Sequence, residues 1–271
     1  VDGLEWRRAK WGKTGRRYYR MAEALSVRWS TALIADAQGI SDYYEAEFGA
    51  ETVLIRYGAP LIDPAPAELL TPLGVEPGRF HLAVARIEPE NHVHVIVEGY
   101  VLSGATDPLV VVGSAPYADE YIASIRALAD DRVHFVGALW DQDLLNALYS
   151  NTLTYLHGHS VGGTNPSLLR AIGAGAATAA FDVSFNREVL GDAGDYWRTP
   201  ADVARCVERA EADRAGTAER GARSRERATA YNWDDVADGY ESLCRSMVNG
   251  DIRRQRLSGR RHQPGWSDQG A

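Results

Sequence analysis

The sequence has little cysteine and no long apolar run, and each shortage excludes a class of protein. Its two cysteines, Cys206 and Cys244, lie far apart and show neither metal-type nor redox-type spacing, which excludes a disulfide framework. No apolar run approaches the roughly 18 residues of a transmembrane helix, and no signal peptide is evident. We therefore expect a protein of a reducing compartment, the cytoplasm.

The chain also lacks an excess of positive charge, since its formal net charge is −8. This balance argues against a general nucleic-acid binder, which usually presents a basic surface, so we expect no nucleic-acid partner. Residues 7–28 are nevertheless locally basic. A solvated helix face is the simpler interpretation, and a face for an anionic ligand or a membrane surface is the alternative.

The chain is long and apolar enough for a sizeable core, with 271 residues of which 45% are hydrophobic. From residue 80 onward, strand-like and helix-like segments alternate. Runs such as Leu109–Val112 are apolar throughout, as expected when helices cover both faces of a parallel sheet. The pattern predicts an α/β fold with a doubly wound parallel sheet. Predicted strands cover residues 81–87, 109–112, 133–136, 153–157 and 177–181.

The segment before residue 60 contains too few elements for a sheet of its own. The pattern predicts a helix over 16–30, with Tyr18, Met21, Leu25, Val27 and Trp29 buried, and a helix over 41–48 capped by Ser41. Two short strands are predicted over 32–36 and 52–57. We expect either a fragment of a longer protein or an N-terminal portion that packs onto something else.

The stretch from His157 to Leu169 joins a predicted strand to a predicted helix through a glycine loop. Asn165 is a good N-cap and Pro166 suits the first helical turn, so the loop would present backbone N–H groups at a helix N-terminus. Gly162 and Gly163 would let a ligand approach the backbone closely. The pattern predicts a site for a phosphate or diphosphate. An ordinary strand-to-helix turn is the alternative.

Three stretches together resemble the retaining GT-B glycosyltransferases that use nucleotide sugars, in particular a rhamnosyltransferase-like branch of bacterial polysaccharide synthesis. They are residues 1–11 (VDGLEWRRAKW), residues 85–91 (ARIEPEN), and the glycine-loop stretch followed by Phe185–Glu188. The resemblance implies a GT-B fold with an incomplete N-terminal Rossmann-like domain. The implied division is residues 1–59 for a remnant of the acceptor domain, 60–235 for the nucleotide-sugar donor domain, 236–252 for a C-terminal return helix, and 253–271 for a disordered tail.

The resemblance also assigns roles to residues. Arg86 matches the family arginine that contacts the donor diphosphate, which suits a guanidinium at a strand end; a structural salt bridge is the alternative. Asn91 stands where the family usually has a lysine. These two are the candidate catalytic residues. The candidate substrate-binding residues are Gly113, Ser114, Val136, Gly137, Trp140, His159, Ser160, Gly162, Gly163, Thr164, Asn165, Arg170 and Glu188. Asp2, Glu5 and Trp6 match a family loop that faces the cleft.

Two positions depart from the wider family, which carries two glutamates around the glycine loop, the second of which holds the ribose. Gly162 stands at the first position, as in the rhamnosyltransferase-like branch, and Arg170 at the second. Arginine has hydrogen-bond donors only and cannot accept from ribose hydroxyls. Nucleotide binding then requires Arg170 to turn outward or to reach a phosphate.

The resemblance implies transfer of a sugar, such as rhamnose, from a nucleoside-diphosphate sugar to a glycan or lipid-linked acceptor. We predict a retaining reaction that uses no metal or other cofactor, in the cytoplasm or at the inner face of the membrane. His157 and His159 are a possible metal pair, with hydrogen bonds to sugar or backbone as the alternative. Asp182, Asn186 and Glu188 either face the sugar or serve as caps and ion pairs. The alternative functions are a non-catalytic nucleotide-sugar-binding or scaffold module and a sugar-nucleotide epimerase.

Overall fold

The computed structural model describes residues 4–115 and 118–262. Its centre is a six-stranded sheet of order β5-β4-β3-β6-β7-β8 in which every neighbouring pair is parallel. The strands are β1 (Ile34–Ala35), β2 (Val53–Leu54), β3 (His81–Val84), β4 (Leu109–Val112), β5 (Val133–Gly137), β6 (Thr154–His157), β7 (Thr178–Phe181) and β8 (Asp195–Trp197). The chain moves outward from β3 to β5, returns to place β6 on the other side of β3, and continues to β8. This is the doubly wound arrangement.

Helices cover both faces of this sheet. The helices are α1 (Lys13–Trp29), α2 (Gln38–Phe48), α3 (Val93–Leu102), α4 (Asp119–Leu128), α5 (Gln142–Asn151), α6 (Pro166–Gly173), α7 (Ser184–Leu190), α8 (Pro200–Ala212), α9 (Arg214–Ala228) and α10 (Trp233–Asn249). In β4, Leu109 and Val111 join a core with α3, α4 and α8, whereas Val110 and Val112 join a core with α5, α6 and α9. Because successive side chains point to opposite faces, this apolar strand seals two cores at once.

The N-terminal unit contains α1, α2 and a two-stranded parallel sheet of β1 and β2, so the prediction that this segment has too few elements for a sheet was wrong. The prediction that Tyr18, Met21 and Trp29 are buried was wrong: they are 58%, 55% and 61% exposed, whereas Val27 and Glu23 lie inside. The inner face of α1 holds an ion pair with the C-terminal segment, and a hydrophobic pattern does not reveal such a polar inner face.

Two local predictions also need correction. The α2 helix begins at Gln38, so Ser41 is not its N-cap; the Ser41 hydroxyl instead accepts a hydrogen bond from Thr52 Oγ1 at 2.8 Å. Strand β8 was missed because its three residues, Asp195–Trp197, are too few to show a period. They are a strand because they pair with β7.

The C-terminal region returns to the N-terminal unit. In α10, Leu243 is buried, whereas Tyr240 is 46% exposed and Met247 36% exposed. The stretch from residue 253, for which we predicted disorder, runs without helix or strand to residue 262, and the His262 N–H donates to the Glu47 carbonyl at 2.7 Å. Residues 263–271 lie outside the described residues. Within the described ranges, no helix is long and apolar enough to cross a membrane.

Candidate functional site

A crevice of about 490 Å³ lies at the carboxyl ends of β3, β4 and β6. This is the edge of the sheet where the winding reverses between β3 and β6, the usual ligand position in doubly wound sheets. Seven of the predicted site residues lie on its wall. They are Arg86, Asn91, Gly113, Ser114, Trp140, His159 and Asn165.

Backbone atoms form the floor of the crevice, and two glycines make this possible. A Cβ on Gly113, whose φ is 147°, would lie 1.8 Å from the Ala85 carbonyl oxygen, and one on Gly158 would lie 2.0 Å from the Asn91 carbonyl oxygen. Any larger residue at either position would push the strand exits apart. The glycines therefore bring the exits of β3, β4 and β6 together.

Arg86 supplies positive charge to the crevice. Its side chain is 56% exposed, and its Nη2 lies 3.6 Å from the Glu88 carboxylate, too far for a hydrogen bond. A guanidinium that is held this loosely can turn to grip the oxygens of an anion bidentately.

Asn91 has a different setting, because its amide is 6% exposed and engaged at both ends. Its Nδ2 donates to the Arg86 carbonyl at 2.7 Å, and its Oδ1 lies 2.9 Å from His159 Nδ1. The side chain ties the exit of β3 to the loop after β6. Its predicted catalytic role stays a prediction, and the contacts show that it positions both Arg86 and His159.

Both histidines of the glycine-loop stretch are neutral. Burial, followed by the positive charges of Arg8 and Arg86, lowers the pKa of His159 to about 3. With Nδ1–H donated to Asn91, Nε2 of His159 is left as a hydrogen-bond acceptor. Burial also holds the pKa of His157 well below its ordinary value. Its Nδ1 lies 3.1 Å from the Tyr155 hydroxyl, and its Nε2 has no hydrogen-bond partner within the described residues.

The N-terminus of α6 opens on the same crevice. The Asn165 side chain accepts from the Ser167 N–H at 2.8 Å, and Pro166 occupies the first turn, as predicted. The positive end of the helix dipole and the Arg86 guanidinium thus act on one cavity. These two positive groups suit an anion. The neutral His159 beside them offers Nε2 as an acceptor for a hydroxyl group of the same ligand.

The rest of the glycine loop is held by its neighbours. The Thr164 hydroxyl donates to the Asp36 carbonyl at 3.0 Å, and a Cβ on Gly163 would lie 2.2 Å from Asp36 Oδ1. The N–H and hydroxyl of Ser160 both donate to the Glu90 carbonyl, at 3.1 and 3.0 Å. Gly162 has a φ of 124°. These four residues lie beyond the described wall of the crevice, and their predicted contact with a ligand stays a prediction.

The end of β5 and the residues after it stand on the other side of the cavity. Val136 packs against the core, and the Gly137 carbonyl accepts from the Gly113 N–H at 2.8 Å. Trp140 projects at the mouth with 85% of its surface exposed. The indole is therefore accessible at the mouth of the crevice, and its predicted contact with a nucleobase stays a prediction.

Arg170 and Glu188 point away from the described crevice wall. Arg170 forks onto α5, where it donates to Asn146 Oδ1 at 2.6 and 3.1 Å and to Gln142 Oε1 at 2.9 Å. Glu188 accepts from Arg56 at 2.9 Å and from the Gln38 N–H at 2.8 Å, joining α7 to the N-terminal unit. Arg170 therefore turns outward in this structure, which is one of the two arrangements that nucleotide binding was predicted to require.

Asp182 and Asn186, which follow β7, have structural partners. Asp182 forms ion pairs with Arg187 at 2.5 Å and with Arg198 at 3.2 Å. Asn186 is fully buried and donates to the carbonyls of His159 and Phe181. Of the two alternatives for these residues, the contacts favour the structural one.

Sequence reasoning missed the junction between the N-terminal turn and the loop after β3. Arg8 is 8% exposed; its Nε lies 2.6 Å from Glu5, and its Nη1 lies 3.8 Å from Glu88 and 4.0 Å from Glu90. The signal was the pair of glutamates on either side of Pro89, next to the predicted Arg86. Glu5 also accepts from the Trp11 indole at 2.9 Å, whereas Asp2 lies outside the described residues.

Comparisons with known proteins agree with this architecture. Residues 1–60 match a family described as a domain of unknown function, DUF1972. Among curated proteins, none matches the chain. A solved structure of HepE from Anabaena in complex with UDP and glucose is similar with a TM-score of 0.73 at 18% identity, covering 84% of this chain and 66% of that one.

Two further solved structures show the same likeness. Sucrose-phosphate synthase from Thermosynechococcus elongatus has a TM-score of 0.76 at 20% identity, covering 91% of this chain and 66% of that one. The pneumococcal O-GlcNAc transferase GtfA in complex with UDP and GlcNAc has a TM-score of 0.65 at 15% identity, covering 86% and 48%. The chain thus spans less than two thirds of these proteins. The predicted Rossmann-like GT-B fold is confirmed.

Proposed function

We propose that this chain contains the donor site of a glycosyltransferase that uses a nucleoside-diphosphate sugar. One observation carries the proposal: the exposed Arg86 guanidinium and the N-terminus of α6 meet in a crevice at the reversal point of the sheet. That geometry supports binding of a diphosphate, with Trp140 beside the nucleobase. The UDP complexes of HepE and GtfA add support from proteins of similar fold.

The chemistry follows from where charge develops. As the glycosidic bond to the donor breaks, negative charge grows on the leaving diphosphate. Arg86 and the backbone N–H groups at the start of α6 stabilise that charge, and removal of one such donor costs about 3 kcal/mol in comparable oxyanion sites. Neutral His159 adds no charge and accepts a hydrogen bond from a sugar hydroxyl through Nε2. We propose a reaction that needs no metal or other cofactor.

Finer features rest on the resemblance of the three sequence stretches. We propose that the reaction retains the configuration of the transferred sugar, that rhamnose is a candidate donor sugar, and that the acceptor is a glycan or a lipid-linked saccharide. The inner face of the membrane is the proposed place of action. The exposed Tyr18, Met21 and Trp29 of α1, beside its basic residues, support contact with anionic lipid. Liposome sedimentation at moderate salt tests this, and equal recovery with neutral and anionic vesicles would contradict it.

The donor site is tested by calorimetric titration with UDP and dTDP. We expect micromolar binding of one of them by the wild type, and a loss of about 100-fold in Arg86→Ala because a charge-assisted bidentate contact contributes roughly 3 kcal/mol. Arg245→Ala is the matched control, since Arg245 is 74% exposed on α10 and pairs with Glu241. Equal affinities of wild type and Arg86→Ala would exclude Arg86 from the site.

A second candidate function, a non-catalytic nucleotide-sugar-binding or scaffold module, draws support from Arg170. That side chain bonds to Asn146 and Gln142 and offers no acceptor to a ribose. The two functions differ in turnover. An assay with a nucleotide sugar and a glycan acceptor yields a glycosylated product in the first case, and binding without product in the second.

A further inference from the structure

A second pocket lies between the linker that follows the N-terminal unit, residues 60–69, and the helices α5 and α6. Its volume is about 760 Å³, a usual size for the site of a small organic ligand. Gln142, Asp143, Asn146 and Arg170 form the wall opposite the linker. This described wall shares no residue with the described wall of the donor crevice, so the proposed donor chemistry does not account for the pocket.

The linker is anchored to both helices. The Ile62 N–H donates to the Gly173 carbonyl of α6 at 3.0 Å, and the Ala65 N–H donates to Ser150 Oγ of α5 at 3.2 Å. Gly173 lets the linker lie directly on α6, because a Cβ there would lie 2.0 Å from the Pro60 carbonyl oxygen. The pocket is therefore held open between two fixed points of the linker.

Arg170 presents a fixed positive charge to this pocket. Its Nε and Nη2 donate to Asn146 Oδ1 at 3.1 and 2.6 Å, and its Nη1 donates to Gln142 Oε1 at 2.9 Å. Both acceptors are neutral amides, and Arg170 forms no ion pair within the described residues. A guanidinium carries five N–H donors and three are used, so one donor remains on each Nη atom. The side chain is thus oriented, with its charge not neutralised.

The linker side of the pocket is apolar. Leu61 is 57% exposed on this wall, and the half-buried Leu69 lies on it together with Pro60 and Pro66. Apolar side chains that stay accessible in a concave wall suit a ligand with an apolar body. The pocket therefore combines an apolar wall with an oriented guanidinium, which suits an organic anion.

Two acidic side chains limit the charge of that anion. The Asp63 side chain is fully exposed and lies 3.7 Å from Arg225, and Asp143 stands in the first turn of α5, where the helix dipole offsets its charge. Both carboxylates line the pocket and repel a second negative group, so a diphosphate or other polyanion is disfavoured. A single carboxylate meets the requirement, because its two oxygens can accept from the two remaining donors of Arg170.

We propose that this pocket binds a small organic monocarboxylate, with Arg170 donating to the carboxylate and Leu61 packing against the apolar body. The proposal is independent of the proposed glycosyltransferase function, since the pocket and the crevice have separate described walls. A bound carboxylate contacts both the linker and α6, the helix whose N-terminus opens on the crevice.

Saturation-transfer NMR with the full chain tests the site. The probes are benzoate and benzamide at about 5 mM, a concentration that reveals a millimolar site. We expect a signal from benzoate and none from benzamide, which has the same ring without the negative charge. Equimolar inorganic phosphate and equimolar UDP should not displace benzoate, because the first lacks an apolar body and the second is a polyanion.

Three variants complete the test. Arg170→Gln should weaken benzoate binding at least tenfold, since charge-assisted hydrogen bonds are lost. Leu61→Glu, at an exposed position, should abolish benzoate binding by repulsion and leave the nucleotide titration unchanged. Arg245→Gln on α10 is the matched control and should bind benzoate as the wild type does.

Several outcomes would overturn the proposal. They are absence of benzoate binding to the wild type, equal binding of benzamide, displacement by phosphate or UDP, and binding that both Arg170→Gln and Leu61→Glu retain. Since the nucleotide titration reports on the crevice separately, either proposal can fail while the other stands.

Discussion

Replacement of Arg261 by alanine tests how the C-terminal segment is held. The Arg261 guanidinium bonds to the carboxylates of Glu23 and Glu47 and, at 2.8 Å, to the Tyr43 hydroxyl; it also lies 4.7 Å from the centre of the Phe48 ring. Glu23 is 0% exposed and Glu47 is 2% exposed. Arg261, a single side chain of the C-terminal segment, thus neutralises two carboxylates inside the N-terminal unit.

The magnitude follows from what Arg261→Ala leaves behind. Removal of one partner of a buried ion pair costs about 3–5 kcal/mol, because the other charge stays buried without compensation. The lost cation–π contact contributes up to roughly 1 kcal/mol more. Since domains of this kind are stable by about 5–15 kcal/mol, we expect a large fall in the free energy of unfolding.

The loss of unfolding free energy in Arg261→Ala should depend on pH. Burial raises the pKa of Glu23 above its ordinary value of 4.5 even beside Arg261. A carboxyl with a raised pKa stabilises the fold at low pH, and this contribution is lost as the pH rises through the folded-state pKa. The substitution raises that pKa further, so the deficit should be largest at neutral pH and should shrink as the pH falls toward 4.5.

Urea denaturation of wild type, Arg261→Ala and Arg261→Ala/Glu23→Gln measures these effects. The double variant should recover part of the loss, because it removes a buried charge. Arg245→Ala is the control and should cost less than about 1 kcal/mol, as is usual for an exposed i,i+4 pair. A loss below about 1 kcal/mol in Arg261→Ala, or one that does not depend on pH, would refute the account.

Two other substitutions separate binding from stability. Trp140→Ala should change the free energy of unfolding by less than about 0.5 kcal/mol, because the ring is 85% exposed. It should weaken UDP or dTDP binding about tenfold through the lost base stack, and unchanged calorimetric affinity would contradict the placement. Burial raises the pKa of Glu211, but hydrogen bonds from His81 and the backbone outweigh it and lower that pKa to about 2. Glu211→Gln should therefore destabilise at pH 7, with a gap from the wild type in urea denaturation that narrows as the pH falls from 4.5 toward 2.

Much of the fold followed from local patterns. The apolar run Leu109–Val112 predicted a strand between two covered faces, and the observed bounds match it. Asn165 followed by Pro166 predicted the start of α6, since caps depend on only a few neighbouring residues. The exit of β3 at Arg86 and the glycines at residues 113 and 158 then met at one edge because parallel strands share their direction.

Local sequence patterns could not predict which side chains of distant segments contact each other. The buried face of α1 contains Glu23, whose partner is Arg261, and no periodicity links residues so far apart. Glu188 was predicted to bind substrate, and in the structure it forms an ion pair with Arg56. Charged side chains have several partners within reach, and only the folded geometry selects among them.

The sequence alone determined the parallel sheet and the strand-loop-helix unit from His157 to Ala174, because hydrophobic period, glycine and caps act within a few residues. Tertiary structure decided which polar groups remain available to ligands. Arg86 stays exposed at the crevice, whereas Arg170 is hydrogen-bonded to α5. A polar group is available to a ligand only if the fold brings no other partner within about 3 Å, the length of a hydrogen bond.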